Sequence, residues 1–190
     1  MSSVPRVTSA VDGLPPSFAT GILQEPVMAR GLDQVYQAVW GESGINGDRI
    51  KEIARMRNAR INECGHCRNV RFDRPLEEGL TEDILDDVTD DYRDSSLLSD
   101  AEKAVLTLTD ALIFTGHLKD QEKQDLRRHF SDAQIAELAF EIAKLGAVAK
   151  LLITLGMEPI PGTMGPTVTP TARNGLLAKF LPGANLAGAS

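Results

Sequence analysis

The sequence predicts an all-α fold built around an antiparallel pair of helices and followed by an extended C-terminal arm. Apolar residues recur at helical spacing, two segments carry complete helix-capping signals, and no segment alternates between apolar and polar residues as a half-exposed strand does. The 190 residues contain no internal repeat, and this length suits one domain.

Proline and glycine mark the boundaries of the early helices. A short helix is predicted over residues 18–23, and Pro26 opens a second helix that reaches about Trp40. After a glycine-containing loop, Asp48 can cap a third helix, which keeps helical apolar spacing and ends near Asn62.

The chain is expected to reverse after the third helix and so to form the antiparallel pair. A helix should begin at Cys64 and continue toward Leu76, and Thr81 should cap a short helix that reaches Val88. The cysteines would then lie at the N-terminal end of the second helix of the pair.

Two capping boxes start the later helices. Ser99 with Glu102, and Ser131 with Gln134, each place a hydroxyl at the N-cap and a long polar side chain three residues later. The apolar stripe after the second box runs to Ile153 and predicts the longest helix.

Beyond Gly156 the composition changes to proline, glycine and small residues. We therefore divide the chain into an all-α domain, residues 1–156, and an extended arm, residues 157–190. We expect this arm to pack on a partner subunit.

Charge and composition argue against several classes of partner. The chain has 20 Lys and Arg against 27 Asp and Glu, and the formal net charge of -7 argues against a general affinity for nucleic acid or anionic membranes. Residues 1–18 lack the apolar core of a secretory signal, and no stretch is apolar enough to span a membrane. The expected setting is the reducing cytoplasm.

Both cysteines lie in the segment Cys64-Gly65-His66-Cys67. Two thiols at this spacing can close a small disulfide, and a neighbouring imidazole can lower the pKa of a thiol and make it nucleophilic. In a reducing compartment such a pair is more often catalytic than structural. Zinc is the main alternative, although a structural zinc needs four ligands and the sequence has no second pair of this kind.

A carboxylate and a guanidinium are expected beside the thiols. Glu52 would lie about 18 Å from Cys64 on one straight helix. If the chain reverses near Asn62, two antiparallel helices bring Glu52 opposite Arg71, one helical turn beyond Cys67. The sequence thus predicts a cluster of Glu52, Arg71 and the two thiols, with an ordinary interhelical ion pair as the alternative interpretation.

This pattern resembles the alkylhydroperoxidase D-like (AhpD-like) branch of the carboxymuconolactone decarboxylase family. The motif of that branch reads Glu, eleven residues, Cys-x-His-Cys, three residues, His, and a looser similarity extends over residues 26–155. The residues that match the motif are Glu52, Cys64, His66 and Cys67. The chain departs from the motif at its last position, where Arg71 replaces the histidine.

The resemblance implies a thiol-dependent peroxidase. Cys67 would attack a hydroperoxide and form a sulfenic acid, and Cys64 would resolve it as a disulfide. In the family, the glutamate that Glu52 matches and the final histidine relay the proton, and the histidine that His66 matches assists. Arg71 cannot be a general base because a guanidinium is always protonated, but it can stabilise a Cys67 thiolate or pair with Glu52.

The resemblance also implies an AhpD-like helical domain that forms a homo-oligomer and uses neither a metal nor an organic cofactor. Its electrons would come from a protein or small dithiol donor, which is lipoylated in the best-known members. Three other functions stay open: a carboxymuconolactone decarboxylase-like enzyme, an oligomeric redox sensor with little turnover, and a zinc-binding structural protein.

Two charge runs are expected to form solvated faces or, alternatively, salt-sensitive contacts between subunits. The acidic run covers residues 77–102. The basic run consists of Arg49, Lys51, Arg55, Arg57 and Arg60.

Overall fold

Helices account for nearly all regular structure in the chain, which we describe from a computed structural model over residues 5–14, 16–157 and 164–171. In chain order, the elements are α1 (Phe18–Ile22), α2 (Pro26–Trp40), α3 (Asp48–Ile61), α4 (Gly65–Asn69), β1 (Val70–Phe72), α5 (Asp73–Glu77), α6 (Glu82–Asp86), α7 (Asp100–Asp110), α8 (Asp120–His129), α9 (Asp132–Thr154) and β2 (Thr167–Thr169). A 3₁₀ turn over Tyr92–Asp94 precedes α7, and a π-helical turn over Ala111–Thr115 extends it. The described helices include none that is long and apolar enough to cross a membrane.

The predicted all-α class is confirmed, and both capping boxes form. The Ser99 hydroxyl accepts from the Glu102 N–H at 3.3 Å, and the Glu102 carboxylate accepts from the Ser99 N–H at 2.7 Å. Ser131 and Gln134 exchange the same two bonds at the start of α9, which is the longest described helix. These local contacts satisfy N–H groups that the first turn of a helix leaves unpaired.

Helix α3 lies at the centre of the fold. It packs against α7 and α9, and all residues from Lys51 to Ala59 are buried. Its apolar side chains Ile53, Ala54 and Met56 join the main core, to which α7, α9 and the 80–98 segment also contribute. Charged residues on the same helix are equally buried: Lys51, Glu52, Arg55 and Arg57.

The prediction of one helix from Cys64 toward Leu76 is wrong, as is the expectation that the chain has no strand. Helix α4 ends at Asn69, and Val70–Phe72 form a strand before α5 begins. Valine and phenylalanine favour extended backbone, and a second strand is available to pair with them. A strand of three residues is too short to give a recognisable alternating pattern.

The second strand comes from the predicted C-terminal arm. β2 runs parallel to β1, with Val70 opposite Thr167 and Phe72 opposite Thr169. The Asp73 carboxylate then accepts hydrogen bonds from the Thr171 N–H at 2.8 Å and the Thr171 hydroxyl at 2.6 Å. Residues 158–163 and 172–190 of the arm lie outside the described residues, and its contact with a partner subunit stays a prediction.

The acidic run is largely exposed, as a solvated face should be, whereas the basic run is buried or half-buried, and several of its residues pair with the acidic run within the chain. The pairs between them are Arg49–Glu102 at 2.7 Å, Arg57–Asp90 at 2.8 Å and Arg60–Asp86 at 3.3 Å. Arg57 also pairs with Asp110 of α7 at 2.7 Å. A buried guanidinium needs an anion close by, so the basic helix holds the acidic segment against the core.

Replacing Asp73 by Asn should loosen the contact between the arm and β1. Burial opposes the charged form of Asp73, but hydrogen bonds from Thr171 outweigh this effect and lower the pKa of its carboxyl. The contact should therefore be complete above the ordinary carboxyl pKa and be lost as the pH falls through the lowered value. Hydrogen exchange of the amides of Thr167, Val168, Thr169 and Thr171 should be faster in Asp73→Asn at neutral pH. Asp83→Asn changes an exposed carboxylate of α6 and should leave this exchange unchanged.

Candidate functional site

The backbone reverses sharply between α3 and α4, and this turn places the cysteines. Asn62 ends α3, and Glu63 adopts a left-handed conformation with φ 53°. The Cys64 N–H then donates to the Ala59 carbonyl at 3.1 Å. Because Cys64 is the N-cap of the short helix α4, Cys67 lies one turn away on the same side.

Cys64 and Cys67 are joined in a disulfide, with their Cα atoms 5.3 Å apart. Cys64 is fully buried, whereas Cys67 is only half-buried. The Cys64 sulfur accepts a hydrogen bond from the Cys67 N–H at 3.2 Å. Both cysteines pack against apolar residues that include Val148, Leu152 and Met157.

The main chain of Cys67 contacts the guanidinium of Arg55 on α3. Its Nη1 donates to the Cys67 carbonyl at 2.7 Å, and its Nη2 donates to the Val70 carbonyl at 2.5 Å. Burial opposes the charge on Arg55, but the adjoining Glu52 outweighs it and raises the pKa of Arg55. A permanent positive charge therefore lies against the main chain of Cys67.

Glu52 is close to the site but is engaged by Arg55 rather than by Arg71. Its two carboxylate oxygens each accept from Arg55, through Nε and Nη2, at 2.6 Å. The Glu52 residue is 1% exposed. Such a bidentate pair occupies both oxygens of the carboxylate.

Arg71 does not join the predicted cluster. It lies on β1, and its guanidinium forms a bidentate pair with Glu82 at 2.8 and 2.9 Å. The expected placement opposite Glu52 fails because the chain after Asn69 is a strand, so Arg71 does not follow Cys67 on a helix. Arg71 Nη1 donates instead to the Arg68 carbonyl at 2.7 Å.

His66 is half-buried between the two cysteines in the sequence. Burial and, secondarily, the positive charge of Arg55 lower the pKa of its imidazole. Its ring is therefore neutral at physiological pH and can accept a proton.

Comparison with known proteins fits this helical arrangement. No family model and no curated protein matches the sequence. One similar solved structure is a protein of unknown function from Agrobacterium tumefaciens, proposed to be the antioxidant defence protein AhpD. It has a TM-score of 0.61 at 19% identity and covers 80% of this chain and 99% of that one. The chain has the AhpD-like helical fold.

A second AhpD-like structure gives the same result. It is the alkylhydroperoxidase AhpD core of an uncharacterized peroxidase-related protein from Ralstonia eutropha. The TM-score is again 0.61, at 18% identity, over 79% of this chain and 80% of that one. At these identities the likeness concerns the fold, and the chemistry has to be argued from this chain's own residues.

Within this AhpD-like fold a buried polar cluster adjoins Arg55, and sequence reasoning missed it. Glu141 of α9 accepts from the Trp40 indole N–H at 2.8 Å and pairs with Lys144 at 2.5 Å. The Lys144 ammonium lies 3.5 Å from the centroid of the Tyr36 ring. Burial and Glu141 raise the pKa of the Tyr36 phenol, although Arg55 opposes them, so this hydroxyl stays protonated.

The role of Arg55 was also missed, although the sequence contains a signal for it. In three buried pairs an acid precedes a base by three residues on one helix, which is the spacing at which helical side chains meet. These pairs are Asp48–Lys51, Glu52–Arg55 and Glu141–Lys144. A pair at this spacing forms within one helix and does not require the chain to reverse. Arg55 was therefore a more direct candidate than Arg71 for the partner of Glu52.

Glu52→Gln should destabilise the protein by about 3–5 kcal/mol, because it leaves the buried Arg55 charge without its anion. The free energy of unfolding in urea measures this effect. Asp125→Asn removes the acid of an exposed pair at the same spacing and should change the free energy by less than about 1 kcal/mol. Equal effects of the two substitutions would contradict the buried pairing of Glu52.

Proposed function

We propose that the chain is a thiol-dependent peroxidase that reduces peroxides through a dithiol–disulfide cycle of Cys64 and Cys67. The observation that carries the proposal is the asymmetry of the cysteine pair. The half-buried Cys67 has a buried guanidinium against its main chain, and the fully buried Cys64 is joined to Cys67 in a disulfide.

The cycle begins with the Cys67 thiolate. Its sulfur attacks the distal oxygen of a hydroperoxide, the O–O bond breaks, and the alkoxide leaves and takes a proton to become an alcohol. Cys67 is thereby oxidised to a sulfenic acid, and the peroxide is reduced by two electrons. The Cys64 sulfur then attacks the Cys67 sulfur, the S–O bond breaks, and water leaves as the disulfide forms.

The difference in burial supports these roles. Peroxide has to reach the attacking sulfur, and Cys67 is the partly exposed thiol. Cys64 is closed to solvent, which suits a thiol that reacts only with its neighbour. The Cys67 N–H, which donates to the Cys64 sulfur, would favour the thiolate form of Cys64 as it attacks.

His66 is the group we propose as the proton acceptor. Its neutral imidazole can take the thiol proton of Cys67 and return it to the leaving alkoxide. Glu52 is committed to Arg55, and Arg71 to Glu82, so neither is free for this task. We propose for Glu52 the task of holding Arg55 in place, and for Arg71 that of anchoring β1 to α6.

A dithiol donor must return the disulfide to two thiols, becoming a disulfide itself. We propose a protein or small dithiol, and a lipoylated protein is the carrier that the sequence resemblance favours. We also propose a cytoplasmic setting, because a reducing compartment supplies such donors. A homo-oligomeric assembly is part of the same proposal.

Cys67→Ser should abolish peroxide consumption, because it removes the attacking thiolate. Cys64→Ser should undergo one turnover and retain a sulfenic acid at Cys67, which dimedone labels and mass spectrometry locates. Equal rates in the two variants would contradict the assigned roles. Wild-type protein that forms its disulfide once, but does not turn over with excess dihydrolipoamide, would indicate a redox sensor instead.

His66→Gln should lower the rate of peroxide consumption at pH 7 by about 100-fold, the lower end of the usual contribution of a general base. Because the pKa of His66 is lowered, the wild-type rate should hold until the pH falls below the ordinary histidine range. The pH–rate profile of the Gln variant should lose this acidic limb. If the His66→Gln variant kept the acidic limb of the pH–rate profile, another group would be titrating, and the role of His66 would be contradicted.

A further inference from the structure

We infer that Arg55 is a positioning residue for the thiol chemistry, one that fixes the main chain of Cys67 and supplies the positive charge that favours its thiolate. The inference deepens the proposed function, because it takes Cys67 as the reacting thiol. It concerns a residue of α3 that lies 12 positions before Cys67 in the chain.

The contacts of Arg55 leave its guanidinium a single orientation. One edge, formed by Nε and Nη2, is occupied by the two oxygens of Glu52. The remaining nitrogen, Nη1, points to the Cys67 carbonyl, while Nη2 also reaches the Val70 carbonyl. Arg55 thus ties the second cysteine to the first residue of β1, and a guanidinium is the side chain whose planar array of donors suits this task.

The ion pair with Glu52 has its positive end toward Cys67. Glu52 meets the edge of the guanidinium away from the Cys67 carbonyl, so the two charges form a dipole rather than cancelling at the thiol. A nearby cation lowers the pKa of an acid by about 1–3 units, and the opposing carboxylate places the expected effect at the lower end, about 1 unit.

The other groups around Cys67 do not supply an equivalent charge. Apolar residues of α9 and Met157 pack against the disulfide. On α4, His66 is neutral and Arg68 is exposed. Glu141, on α9, and the Tyr36 hydroxyl, on α2, act electrostatically on Arg55, and Glu141 is itself paired with Lys144. Among the described residues, Arg55 is the buried cation that donates to Cys67.

A purely structural role for Arg55 is the competing explanation, and Lys51 provides a matched control for it. Lys51 is a buried cation on the same helix, pairs with an acid three residues earlier, and donates to a carbonyl, that of Val39, at 2.7 Å. It makes the same kinds of contact as Arg55 but none with the cysteines. Lys51→Met should therefore destabilise the fold without acting on the thiol.

The test measures the pKa of the Cys67 thiol in a Cys64→Ser background. The pKa is obtained from the pH dependence of the rate of alkylation with iodoacetamide. Adding Arg55→Met should raise this pKa by about 1 unit, which lowers the thiolate fraction at neutral pH about tenfold. Arg55→Lys should give a smaller rise, because it keeps the charge but not the planar array of donors. Lys51→Met should leave the pKa unchanged.

Glu52→Gln gives a test of opposite sign in the same background. Removing the negative end of the dipole should lower the Cys67 pKa, whereas Arg55→Met should raise it. Shifts in the same direction, equal shifts in Arg55→Met and Lys51→Met, or no shift in any variant would overturn the inference. Arg55→Lys and Glu52→Gln carry the test if Arg55→Met does not fold.

This readout separates the inference from the proposed function, because no peroxide is present in it. A protein that shows the opposed pKa shifts but consumes no peroxide would uphold the role of Arg55 and reject the peroxidase. A protein that consumes peroxide without those shifts would do the reverse.

Discussion

The rest of the structure depends on the burial of a charged helix. Helix α3 is closed to solvent from Lys51 to Ala59, and an unpaired charge in such a place would cost several kcal/mol. Each of its buried charges therefore has a partner, either three residues away on the helix or on a neighbouring segment. Arg57 reaches Asp90 and Asp110, and through these pairs α3 fastens both the acidic segment and α7 to the core.

The same constraint shapes the cysteine site. The cysteines pack against apolar residues of α9, and the guanidinium of Arg55 binds the Cys67 carbonyl, so the site combines apolar and charged surroundings. An apolar wall excludes water, and a charge in such surroundings acts more strongly than at the surface. Because Arg55 also holds the Val70 carbonyl, the cysteine turn, β1 and the C-terminal strand β2 form one connected unit.

The departure of Arg71 from the sequence motif also has a structural explanation. On β1 its side chain pairs with Glu82 at the start of α6, and it secures the strand that follows the cysteines. A histidine at this position could not form the bidentate pair, because it lacks the planar fork of donors that a guanidinium provides. The Cys67 carbonyl is thus bound by Arg55 of α3 rather than by Arg71, and the buried cluster of Trp40, Glu141 and Lys144 adjoins Arg55.

The sequence by itself determined the helical class, the bounds of α2, the capping boxes at Ser99 and Ser131, and the cysteine pair, because these depend on contacts within a few residues. The Glu52–Arg55 pair has the same local basis, so it was open to prediction from the i,i+3 spacing. Only the tertiary structure decided that Val70–Phe72 is a strand, that Arg71 turns to Glu82, and that the basic and acidic runs pair within the chain. Those outcomes depend on partners distant in sequence. The free energy of a strand pair or a buried ion pair depends on both partners, so neither segment determines it alone.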